Sequence, residues 1–248
     1  MTEQLITDYQ ARKDRSHEKI RIFLEFLKEE TYTDRKNIMR LFAFKDTKSF
    51  YSLTNKMVSM GLIQKYVFSS VLGELPLWGI TRDGLAIVIK PEDESVPPWF
   101  EPSKIKGWGL EHHLFNQTVR LILEEKSATE WINGDRRTFL NRYPKVKHRP
   151  DGLITLRNGT KVAIETERYL KTPARYTQIM ISHLMARTAE HWFNVIYVLP
   201  DAQKKLLLMK YFDAIKILSV NASKITVEQK HRDVFRFYTI DELEAADL

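Results

Sequence analysis

The chain has no cysteine. That excludes disulfides, cysteine-ligated zinc and thiol nucleophiles, and it suits a reducing compartment, so a cytoplasmic location is expected. No apolar run approaches the roughly 20 residues needed to cross a bilayer, which predicts no membrane insertion. The opening residues, MTEQLITDYQARKDRSHEK, lack the apolar stretch of a signal peptide. Internal repeats and low-complexity tracts are also missing, so a repeat architecture is not indicated.

What remains is an ordinary globular composition. At 248 residues the chain holds one large domain or two small ones, and 43% hydrophobic content is enough for a proper core. The net charge is +7, and it is uneven. Residues 1–105 carry 16 Lys+Arg against 15 Asp+Glu, and the remainder carries 23 against 17. A basic surface of this kind favours phosphate backbones or acidic membranes, with plain solubility as the alternative.

Prolines 91, 97, 98 and 102 interrupt the segment Lys90–Gly109. Proline blocks both helix continuation and sheet pairing, so this segment reads as a linker and divides the chain into 1–102 and 103–248. In the first part, Ile20, Ile22, Phe23, Phe26 and Leu27 recur at helical spacing. Thr33-Asp34 is placed to cap a second helix carrying Ile38, Leu41 and Phe42, and Asp46 a third carrying Phe50, Leu53, Met57 and Val58, stopped by Gly61. Lys48, Tyr51, Ser52, Asn55 and Lys56 then fall on the opposite face of that third helix. Two strand-like runs, LIQKYVF and ELPLWGIT, follow around Gly73. Three helices and a hairpin give the winged-helix order, which would put the third helix in the major groove. The five polar side chains suit base edges and phosphates; the other account is the solvated face of an amphipathic helix.

The second part alternates helix, strand, strand, strand, helix, strand, helix and strand, which predicts a mixed α/β sandwich. Its helices are expected at about Gly109–Lys126 and from Thr172-Pro173 onwards, the latter with Ile179, Met180, His183, Leu184 and Met185 on or near one face. Its strands are ATEWI, DGLITL, KVAIETERY and the apolar FNVIYVLP.

The run HRPDGLITLRNGTKVAIETER carries the chemistry. Side chains alternate along a strand, so Glu165 and Glu167 share one face, while Ile164 and Thr166 take the other. A hairpin of this length brings Asp151, at the start of the preceding strand, beside them. Converging carboxylates repel one another unless a cation joins them, and oxygen ligands suit Mg2+ or Mn2+. Such an ion activates water and offsets charge on a phosphate under attack. The competing account pairs these acids with Arg168, Lys171 or Arg175, and leaves Asp151 as a turn residue.

Pro150-Asp151…Glu165-Thr166-Glu167 resembles the PD-(D/E)XK nuclease motif, the metal site of restriction-endonuclease-like folds. In that superfamily the first helix often supplies a further acid, and Glu111 in WGLEHHLFNQTVRLIL matches that place. The resemblance therefore implies Asp151, Glu165 and Glu111 as metal ligands. The motif expects lysine where this chain has Glu167; Lys171 follows four residues later, and Arg168 is adjacent. More broadly, the order winged helix, LEHHLFNQTVRLIL, RPDGLITL, IETERYLKTPARY is similar to MobC-type plasmid mobilization relaxases and the related replication-relaxation proteins. That resemblance implies metal-dependent, site- and strand-specific DNA nicking at a plasmid transfer origin. Duplex and locally single-stranded DNA, other relaxosome proteins and a coupling protein are then the partners. It gives Glu167 a place in the shell or in proton handling, and Lys171 a place on the phosphate. Water is the simplest nucleophile; Tyr143, Tyr169 and Tyr176 are the nearest tyrosines. Two alternatives stand beside it: a catalytically inactive regulator of plasmid replication or transcription, which the missing lysine favours, and a restriction-type enzyme cutting both strands.

Arg136, Arg137, Arg142, Lys145, Lys147 and Arg149 form a basic loop before this motif, interleaved with Phe139 and Tyr143. The cations are expected on phosphates and the aromatics on unpaired bases, with a solvated loop as the alternative. The adjacent His112 and His113 point about 100° apart on a helix and read as core or surface residues. His148 is a candidate phosphate contact, and His183 and His191 show no metal-ligand spacing.

Overall fold

The computed structural model describes residues 8–71, 73–93, 95–220 and 223–248, and shows a mixed α/β protein of two compact units, Met1–Gln117 and Thr118–Leu248. Among the described residues, no helix is long and apolar enough to cross a membrane.

In the first unit, Asp8 caps helix α1 (Tyr9–Glu30) by accepting from the backbone of Gln10 and Ala11. The short strand β1 (Tyr32–Asp34) leads into α2 (Arg35–Leu41) and α3 (Thr47–Ser59), capped by Asp34 and Asp46 as their positions predict. The hairpin β2 (Ile63–Ser70) and β3 (Gly73–Ile80) completes an antiparallel sheet in the order β1-β3-β2. Two elements lie outside the expected pattern, β1 and α4 (Arg82–Val88), the latter capped by Thr81. Val58 is exposed, not on the apolar face.

The proline-rich segment is not a loose linker. Phe100 is fully buried, its backbone N–H donates to the Ile80 carbonyl at 2.8 Å, and its carbonyl accepts from Gln64 Nε2 at 2.7 Å. The ring lies over Gly79, where an added Cβ would come within 2.0 Å of it. Proline removes backbone donors, but it does not stop an aromatic side chain from anchoring the segment to the sheet. The division between units accordingly falls inside α5 (Gly107–Glu125), past the prolines.

The second unit is built on a five-stranded sheet. Its strands are β4 (Thr129–Asn133), β5 (Gly152–Thr155), β6 (Lys161–Thr166), β7 (Asn194–Leu199) and the later β10 (Phe235–Thr239), in the order β10-β7-β6-β5-β4. The β4–β5 and β5–β6 pairs are antiparallel, and β6–β7 and β7–β10 are parallel. Between strands lie α6 (Arg137–Arg142), α7 (Pro173–Thr188), capped by Thr172, and α8 (Ala202–Ala214). A separate hairpin, β8 (Ile217–Val220) and β9 (Ser223–Thr226), is followed by α9 (Gln229–Arg232), and α10 (Ile240–Ala245) closes the chain.

One core cluster joins Leu153, Ala163, Val195, Tyr197 and Leu199 of the sheet to Tyr176, Ile179 and Met180 of α7 and to Leu208 and Phe212 of α8. The alternate residues Val162, Ile164, Ile196 and Val198 are buried too. Both faces of β6 and β7 are therefore covered, as parallel pairing requires. Any acid on β6 must then live inside the protein.

Candidate functional site

The antiparallel register sets Gly152 opposite Ile164, and the Asp151 N–H donates to the Ile164 carbonyl at 3.0 Å. Asp151 therefore sits level with Glu165 at one end of the β5–β6 pair. Its Oδ2 accepts from the Thr166 N–H at 2.6 Å and the Thr166 hydroxyl at 2.8 Å. Gly134 makes this approach possible. Its N–H donates to the Asp151 carbonyl at 3.1 Å, and a Cβ there would stand 1.7 Å from the Pro150 carbonyl oxygen. Since that neighbour is backbone, Gly134→Ala should force the Pro150–Asp151 turn to move. The expected cost is about 1–3 kcal/mol. A urea midpoint that falls while the slope stays constant is the check.

Glu165 and Glu167 share a face, as strand alternation requires, but that face is the one packed under α7. Both are almost fully buried. Glu165 Oε1 lies 2.9 Å from His148 Nε2 and 3.0 Å from His183 Nε2. Burial alone would raise the Glu165 carboxyl; hydrogen bonds from His148 and His183, reinforced by their charge interaction, override it and hold the pKa at about 2. Burial pushes His183 the other way, down, against the pull of Glu165. Glu167 is raised. Burial is the main cause, Lys171 opposes it, and the charges of Glu165 and Asp151 add to it. Glu167 thus feels both other acids, and Lys171 forms an ion pair with it.

Asp151, Glu165 and Glu167 thus interact by charge, and Lys171 pairs with the last of them. Glu111 is an exposed residue of α5 within the first unit. Among the described residues, metal-ligand geometry is found at His148, Glu165 and His183, one donor atom from each lying within 4.8 Å of the others. Sequence spacing concealed both histidines, because they lie 17 and 18 residues from Glu165 on other elements. One signal was present: His183 falls on the apolar face of α7, where an imidazole needs a buried partner. This nitrogen-rich set suits zinc, iron or nickel better than the oxygen-seeking magnesium. His183 Nδ1 finds no hydrogen-bond partner among the described residues; a metal-bound imidazole ordinarily donates that second N–H.

Of the candidate tyrosine nucleophiles, Tyr176 is fully buried and its phenol is pushed up by burial and by Glu167, which disfavours the phenolate. Tyr143 packs against Phe139, His191 and Trp192. Tyr169 is well exposed.

The basic run is part helix, since Arg137–Arg142 forms α6. Arg137, Arg142, Lys145, Lys147 and Arg149 are exposed and Arg136 is half-buried. Arg149 lies 3.7 Å from Asp135. Phe139 corrects the expectation of base stacking: it is fully buried in the core, because α6 turns it inward, and Tyr143 packs beside it.

In the first unit, Lys48, Tyr51, Ser52, Asn55 and Lys56 are all exposed on α3. Arg12, Arg15 and Lys19 of α1 line the same groove as Lys48 and Lys56, a space of about 350 Å3. These α1 cations were not singled out from sequence. His113, two residues past Glu111, is structural: its Nε2 lies 2.9 Å from the Glu30 carbonyl oxygen and 2.8 Å from Gln117 Nε2.

No protein-family model, curated protein or solved structure matches the chain.

Proposed function

We propose that this is a two-domain DNA-nicking enzyme: a winged-helix reader in the first unit and a restriction-endonuclease-like domain in the second, acting on one strand of a plasmid transfer origin. The observation that carries this is the convergence of Asp151, Glu165 and Glu167 at one end of β5–β6, with Lys171 on Glu167. A divalent ion held there would supply an activated water and offset charge on the phosphate. Glu165, His148 and His183 are the residues to hold it, and that ligand set favours a transition ion over Mg2+. Glu167, raised by burial and like charge, is suited to accept and return a proton. The exposed cations of 137–149 and the α1–α3 groove would offset the repulsion between DNA and the acids.

A second reading is favoured by one specific observation. Thr166 satisfies Asp151 Oδ2, the histidines engage Glu165, and Lys171 pairs with Glu167, so the cluster is compensated by protein groups alone. That is what a DNA-binding regulator without catalysis would need. Supercoiled plasmid carrying the native locus separates the two. With Mg2+, Mn2+, Zn2+ or EDTA, wild type should nick one strand only with an ion present. Asp151→Ala and Glu165→Ala should lose the nick but keep binding. Lys48→Ala with Lys56→Ala should lower the salt slope of duplex binding by about 0.9 per lost phosphate contact. Binding with no break under every ion favours the regulator; breaks in both strands favour a restriction-type cut.

A further inference from the structure

A groove of about 490 Å3 in the second unit runs between the segment 145–148 and α7 and ends at β8. Val146, Ile181, Met185 and Val220 give it an apolar floor; Lys145, Lys147 and Arg175 line it as well, and no described lining residue is acidic. His148 forms part of the wall while its Nε2 contacts Glu165, so the groove adjoins the carboxylate cluster. Its volume is within the range of about 300–1,000 Å3 typical of small-ligand sites and too small for a duplex.

We propose that this groove seats an unpaired nucleotide of a DNA strand. The base lies against Ile181, Met185 and Val220, with exposed Gln178 offering hydrogen bonds to its edge. The flanking phosphates lie on Lys145, Lys147 and Arg175. Charge complementarity chooses this occupant: a lining that is apolar below and cationic around, with no acid, matches a base and its phosphates. An apolar peptide would leave the three cations without counter-charge. The assignment rests on the DNA reading above and specifies which form of DNA approaches Glu165: a strand already opened, threaded past His148.

The experiment measures binding of a fluorescein-labelled 12-nucleotide oligothymidylate by anisotropy, in EDTA, across a salt series. The full chain carries Lys48→Ala and Lys56→Ala to silence α3. Adding Lys145→Ala, Lys147→Ala and Arg175→Ala should lower the slope of log affinity against log salt by about 2, on about 0.7 per single-strand phosphate. Met185→Glu, at an exposed position, should weaken oligothymidylate binding about tenfold or more. It should leave a 12-base-pair duplex nearly unaffected. An unchanged slope in the triple variant, or equal loss of duplex and single strand in both variants, overturns the assignment. Displacement by an amphipathic helical peptide, with oligothymidylate affinity indifferent to the variants, would make it a protein-docking groove and overturn it as well. Duplex binding by the wild-type chain reports separately on the DNA reading, so the two fail independently.

Discussion

Glu165→Gln should cost the metal-free protein about 3 kcal/mol at neutral pH, and that cost should vanish in acid. In the unfolded chain this carboxyl has its ordinary value of 4.5, and in the folded protein it is held at about 2. A group whose pKa is depressed by folding contributes stability that is fully present above the unfolded value. That stability is lost as pH falls from about 4.5 towards about 2. The span corresponds to about 3 kcal/mol. Glutamine keeps the shape and an oxygen facing the two imidazoles but cannot carry the charge, so it removes this contribution. His183, lowered by burial, adds acid sensitivity of the same sign in both proteins, and in the variant burial acts on it without the opposing pull of Glu165. Urea unfolding in EDTA, followed by tryptophan fluorescence from pH 7 to pH 3, gives the difference between the two proteins. It should shrink steadily below about pH 4.5. A difference constant across that range would mean the carboxylate is not specially stabilised. Under the proposed function the same substitution should lower nicking at least about 100-fold, since it touches the ion's own ligand set.

The carboxylate cluster was legible because it depends on local rules. Alternation along β6 puts Glu165 and Glu167 on one face, and a short antiparallel connection brings Asp151 level with them. Capping was legible for the same reason: Asp34, Asp46 and Thr172 each stand one residue before their helix. The partners of Glu165 were not, because His183 meets it only when α7 docks on β6 and His148 comes from the loop before β5, and no spacing rule spans either contact. Composition concealed Phe100 and misplaced Phe139. One stands among prolines and the other among arginines, yet each is fully buried. Neighbouring residue types describe the solvent-facing side of a segment; a single large aromatic inside it reports the side that packs.

Phe139→Ala should lower the stability of the second unit by about 3–5 kcal/mol, the usual cost of emptying an aromatic site in a packed core. Phe139 is wholly buried, its ring is 5.0 Å from that of Tyr143, and it belongs to the cluster containing Leu153, Trp192 and Met180. Tyr143 in turn packs against His191 and Trp192, and Trp192 lies against His183. The side chain thus supports the layer on which the basic segment and one partner of Glu165 rest. A base-stacking residue would behave in the opposite way. Its truncation would leave the urea midpoint unchanged and weaken single-strand binding. Measuring both quantities on one preparation decides between them, and Phe139→Leu, which keeps most of the volume, should recover much of the loss only if the role is packing. Exposed Arg137, on the same short helix, is the internal control: Arg137→Ala should leave stability nearly unchanged and act through the salt dependence of DNA binding.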